Sequence, residues 1–63
     1  MIVISTYWGI PGSRRGAIVC LDEQGYYVRY ARNMRVTHTS KRYKRHSTCA
    51  KKALAYCNGL LTQ

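Results

Sequence analysis

Carboxylates are nearly absent from this chain. Asp22 and Glu23 are the only two, against eleven Lys and Arg, and the formal net charge is +9 on 63 residues. Two adjacent acids in one stretch are a poor basis for general acid–base catalysis, which places an acid and a base around a substrate. Phe is absent and Pro occurs once. No apolar run approaches the ~20 residues that a membrane helix requires, so no membrane partner is expected. The apolar start, Met1 to Ile4, is too short for a signal-peptide core and has no basic region before it. The chain is therefore expected to be soluble and cytoplasmic. Three Cys, an odd number, exclude a complete disulfide framework. Cys20, Cys49 and Cys57 are expected to be reduced, small core residues.

What is present points to a folded domain. Apolar residues make up 46% of the chain, which separates it from a disordered basic tail. The aromatics are six Tyr and one Trp, side chains with an apolar body and a polar tip that serve half-buried contact faces. The length permits one domain, residues 1–63, with a marginal core worth about 3–5 kcal/mol. A deep enclosed pocket is hard to build in that space.

The charge is segregated. Residues 1–28 carry Arg14 and Arg15 against the two acids and are neutral, whereas residues 29–63 carry nine cations and no acid. Those cations repel one another unless a partner neutralises them. If roughly six to eight met phosphates, counterion release would make binding steeply dependent on salt.

Ile2-Val3-Ile4 reads as a first strand. A loop follows over Gly9-Ile10-Pro11-Gly12-Ser13. Ala17 to Leu21 is a second strand, and Asp22-Glu23-Gln24-Gly25 a tight turn. Tyr26 to Ala31 returns, with Tyr26, Val28 and Tyr30 toward the core and Tyr27, Arg29 and Ala31 outward. Arg32-Asn33 suits a second turn. A fourth strand from Met34 to His38 is expected, with Met34 and Val36 inward. Thr39 to His46 reads as a basic loop or strand extension. Ser47 or Thr48 suits a helix N-cap. Ala50, Ala53, Leu54, Cys57 and Leu61 then form one apolar helix face. Asn58-Gly59 is a stop signal, with Leu60 folding back on the last turn. The resulting fold class is α+β, a small antiparallel sheet of three to four strands with one C-terminal helix packed on one face. Lys51 and Lys52 fall in the expected first helical turn, where the macrodipole prefers acids.

No catalytic or metal set emerges. His38, His46, Cys49 and Cys57 fit no usual zinc spacing, and Gly9-x-x-Gly12 alone is no phosphate loop. No cofactor is expected and the chain is read as a non-enzyme. The basic residues instead suit nucleic acid, DNA more than RNA. Arg29 and Arg35, with Arg32 beside them, are assigned to base contacts from a two-stranded ribbon, and Tyr27 to stacking on the same face. Lys41, Arg42, Lys44 and Arg45, around Tyr43, are assigned to phosphate contacts, which position rather than specify. Arg14, Arg15, Lys51 and Lys52 complete the set.

The order of strands and helix resembles the DNA-binding domain of plant ethylene-response factors and the N-terminal arm-binding domain of phage tyrosine integrases. Tyr7-Trp8-Gly9-Ile10 is similar to the Tyr-x-Gly-Val opening of the former. Thr48, Ala53, Ala55 and Tyr56 are similar to its Thr-x-x-x-x-Ala-x-Ala-Tyr helix. The resemblance implies a sheet in the major groove with strand arginines reading bases. A phage or mobile-element regulatory or accessory protein is one expected setting. The rival expectation is an inhibitor or adaptor that docks a basic, Tyr-rich face on an acidic protein. Open sheet edges also leave room for a homodimer.

Overall fold

The computed structural model describes residues 1–59. It is a four-stranded antiparallel sheet in the order β1-β2-β3-β4 with one helix on one face. The strands are β1 Ile2–Trp8, β2 Arg15–Asp22, β3 Gly25–Arg32 and β4 Arg35–Thr39, and the helix α1 is His46–Cys57. The first strand outruns the expected Ile2–Ile4 because Thr6, Tyr7 and Trp8 are good strand formers and Gly9 is the first breaker. Its register slips between Val3 and Ser5.

Two tight turns set the hairpins. At the first, the Gln24 N–H donates to Asp22 Oδ1 at 2.9 Å, and Gly25 takes φ 129°. A side chain at Gly25 is also barred by space, since a Cβ there would lie 2.7 Å from the Tyr43 carbonyl oxygen. At the second turn Asn33 and Met34 both have positive φ, 54° and 67°. A two-residue hairpin loop of this kind matches the right-handed twist of the strands. Met34 is thus a turn residue, 89% exposed, and not the inward strand residue expected. Val36 also departs from expectation. It pairs with Ala31 on the face away from the helix and is exposed. The cause is a register slip between Tyr30 and Ala31, which turns β4 over relative to simple alternation.

The core lies between sheet and helix. Ala17, Val19, Val28 and Tyr30 meet Cys49, Ala53, Tyr56 and Cys57. The inward set expected for β3 is found, with Tyr26 packed at its margin. The helix packs on β2 and β3 and reaches β1. Its buried stripe is Cys49, Ala53, Tyr56 and Cys57, rotated from the expected Ala50-Ala53-Leu54-Cys57 face. Tyr56 explains the rotation. Its ring meets Tyr30 edge-on at 4.9 Å, and its hydroxyl donates to the Ala31 carbonyl at 3.0 Å. Burying a large ring with its polar tip satisfied outweighs burying Leu54, which stays half exposed. Leu60 and Leu61, expected to close the helix end, lie outside the described residues.

The connector before the helix is pinned rather than loose. Val28 and Ser40 exchange two bonds, Ser40 N–H to the Val28 carbonyl and Val28 N–H to Ser40 Oγ. Tyr26 and Tyr43 exchange a backbone pair at 2.7 and 2.9 Å. The chain reaches the helix extended, with Arg45 at φ −120°, ψ 135°, and α1 starts at His46 with no side-chain cap. Neither Ser47 nor Thr48 is the N-cap. The expected stop holds, as the N–H groups of Asn58 and Gly59 reach the Leu54 and Tyr56 carbonyls.

Candidate nucleic-acid interface

Strand pairing gathers cations at one end of the sheet. Arg15 is the direct partner of Arg32, and Arg32 of Arg35. Three arginines therefore sit side by side across β2, β3 and β4. Like charges in directly opposed positions are destabilising. Arg15 has a structural task as well. Its Nη1 donates to the Tyr56 carbonyl at 3.1 Å and its guanidinium lies 5.2 Å from the Tyr56 ring centroid. The last turn of α1 holds no basic residue, so Arg15 brings the cation that the helix C-terminus favours. Arg32 and Arg35 are exposed. Arg14, in the preceding loop, has φ 58° and its carbonyl accepts the Asn33 N–H at 3.0 Å, tying the loop to the second hairpin turn.

A second group of cations sits at the opposite end, around the start of α1. Lys41 Nζ and Lys52 Nζ each lie 5.5 Å from the Tyr43 ring centroid. Lys44, Arg45 and Lys51 are exposed nearby in sequence. With α1 starting at His46, Lys51 and Lys52 occupy its second turn, not its first. The first turn holds no acid.

Arg42 departs from this group. Its guanidinium grips Asp22 with Nη2 to Oδ2 at 2.6 Å and Nε to both carboxylate oxygens. The same guanidinium covers the Tyr27 ring. Arg42 is thus the one cation held by a carboxylate among the described residues. The hydrogen bonds from Arg42 hold the Asp22 carboxyl below its ordinary range, and Asp22 raises the Arg42 guanidinium in turn. Tyr27 is only 7% exposed. It faces outward as expected, but Arg42 already occupies the position that a base would take on its ring. Burial pushes its hydroxyl upward.

The expected ribbon is also split. Arg29 pairs with Thr39 and alternates onto the face away from the helix, with Tyr27 and Ala31. Arg32 and Arg35 alternate onto the other face. Arg29 and Arg35 therefore do not share one reading face.

Sequence reasoning passed over the open face beside the Gly9–Ser13 loop. Trp8, Ile10, Ile18, Met34 and Val36 line a cradle of about 630 Å³ there, with Arg14 and Arg15 as its only charged members. The signal was available in Trp8, an aromatic directly before a Gly/Pro loop.

No group of three or more potential metal ligands exists among the described residues. Cys20, Cys49 and Cys57 are unpaired and buried. Burial pushes the Cys49 and Cys57 thiols upward, away from thiolate. His46 packs edge-on against Tyr26 and sits 3.3 Å from Ser5 Oγ, and His38 stacks on Tyr30. No helix among the described residues is long and apolar enough to cross a membrane. Comparison with protein-family models, with curated proteins and with solved structures finds no match.

Proposed function

We propose that this chain is a non-enzymatic nucleic-acid-binding module that grips a phosphate backbone from both ends of its sheet. The observation that carries the reading is the Arg15-Arg32-Arg35 row. Setting like charges in opposed positions costs stability, and phosphates placed among them reverse the sign of that interaction. The second basic group, around Lys41, Tyr43 and Lys52, lies at the other end of β3. Seven residue steps of strand separate the two ends, about 23 Å at the usual rise. A small anion does not span that distance, whereas an extended polyanion does.

The buried thiols and the packed histidines support binding over catalysis. The open-face Arg29 adds one cation between the two ends. The reading needs no shared face for Arg29 and Arg35, because backbone contacts position a protein without reading sequence.

A gel-shift titration of the chain against duplex and single-stranded DNA at two salt concentrations tests the reading. Binding that weakens steeply with salt is expected. No shift at low salt with either nucleic acid overturns it.

A further inference from the structure

We infer that the Trp8 cradle is a seat for an unpaired nucleobase, so that the module prefers single-stranded or locally opened nucleic acid. This rests on the nucleic-acid reading above and extends it to a site outside the two basic groups. Trp8 is 72% exposed although it lies within a paired strand. Its indole is nevertheless located. Trp8 pairs with Gly16, and a Cβ on Gly16 would stand 3.3 Å from both Cε3 and Cζ3 of the indole. The missing side chain is the space against which the ring rests. The result is a supported aromatic surface open to solvent, which is what base stacking uses.

The surroundings select the occupant. The walls of the cradle are mostly apolar, with Thr6, Ser13 and Asn33 as uncharged polar members, Arg14 and Arg15 as the charged ones, and no acid. An apolar ring system carried on an anionic chain matches both properties. Arg14 is held in the left-handed region, at φ 58°, by the Asn33 N–H bond to its carbonyl. A non-glycine residue kept in that region costs free energy. The cradle opens on the face away from the helix, opposite the Arg15-Arg32-Arg35 row, so the exposed Arg14 in its lining is the cation offered to a phosphate flanking a seated base. In a closed duplex the bases are stacked on one another, and a stacking surface has nothing to receive.

Trp8 is the sole tryptophan of the chain, so its fluorescence reports this site alone. The full chain is titrated with a short oligo(dT) and with a short blunt duplex at low salt. Quenching of Trp8 by oligo(dT), and a loss of oligo(dT) affinity in Trp8→Ala of about fivefold to a hundredfold, is expected. Trp8→Phe retains most of the affinity, and Trp8→Ala leaves duplex affinity unchanged. Circular dichroism of both variants matches the parent, because the ring is mostly exposed. If oligo(dT) binds but neither variant changes its affinity, the cradle assignment fails and the nucleic-acid reading stands. If neither oligonucleotide binds, both fail. Quenching by an acidic, aromatic-bearing peptide but by neither oligonucleotide gives the cradle to a protein partner and overturns the proposal.

Discussion

The guanidinium of Arg42 lies 3.8 Å from the centroid of the Tyr27 ring while its nitrogens hold the carboxylate of Asp22. Arg42 thus belongs to the fold, although it stands within the most basic run of the sequence. Arg42→Ser is expected to lower the melting temperature measurably, through lost packing on Tyr27 as well as lost charge. Lys44→Ser, at an exposed neighbour, is expected to leave the melt unchanged. A melt of Arg42→Ser that overlays the parent would remove the structural role.

Acid provides a second check on the same contact. The Asp22 carboxyl is held below its ordinary range, chiefly by the hydrogen bonds from Arg42. A group with a depressed folded pKa stabilises the fold above its unfolded pKa, near 3.9 for Asp. That contribution is lost as pH falls through the lower folded value. Melting temperature is therefore expected to decline from about pH 4 downward. Asp22→Asn should start lower at neutral pH and show a shallower acid decline. Equal acid slopes for parent and variant would contradict the linkage.

The strands, the hairpin order and the C-terminal helix were legible because each carries a local signal. Asp22 to Gly25 and Asn58-Gly59 have turn and stop chemistry that acts within a few residues. The departures are non-local. Val36 was misplaced by a register slip against Tyr30, and no local pattern records a slip. The helix face was misjudged because Tyr56 found the Ala31 carbonyl, a partner twenty-five positions away. Arg42 read as one cation among four because its carboxylate lies twenty positions back. The Arg15-Arg32-Arg35 row was invisible for the same reason, since only strand register makes neighbours of those three.

Separating backbone contacts from fold contacts gives a direct test of the two basic groups. Substituting Lys41, Lys44 and Arg45 with Ser should weaken nucleic-acid binding and make the salt slope shallower by about 2–3, near one per lost phosphate contact. Substituting Arg32 and Arg35 with Ser should act similarly on affinity. It should also hold or raise the melting temperature, because it removes opposed like charges. Affinity measured at several salt concentrations, beside thermal melts, distinguishes the two effects. An unchanged slope in both variants would take the phosphates away from these residues.

Tyr56 joins the parts that the binding reading depends on. Its ring fills the gap between helix and Tyr30, its hydroxyl meets Ala31 at the register slip, and its carbonyl receives Arg15. Tyr56→Phe keeps the ring and the carbonyl and removes one hydrogen bond. The expected cost is about 1 kcal/mol, a fall in melting temperature of roughly 4–8 °C for a domain of this size. Tyr56→Ala removes the ring as well, at about 3–5 kcal/mol. A core worth about that much in total does not absorb the loss, so this variant is expected to be unfolded at room temperature by circular dichroism. Because Arg15 bonds the main chain of residue 56, Tyr56→Phe should bind nucleic acid as the parent does wherever it is folded. A Phe variant that is stable but weak in binding would show that the hydroxyl, not the backbone, sets the position of the arginine row.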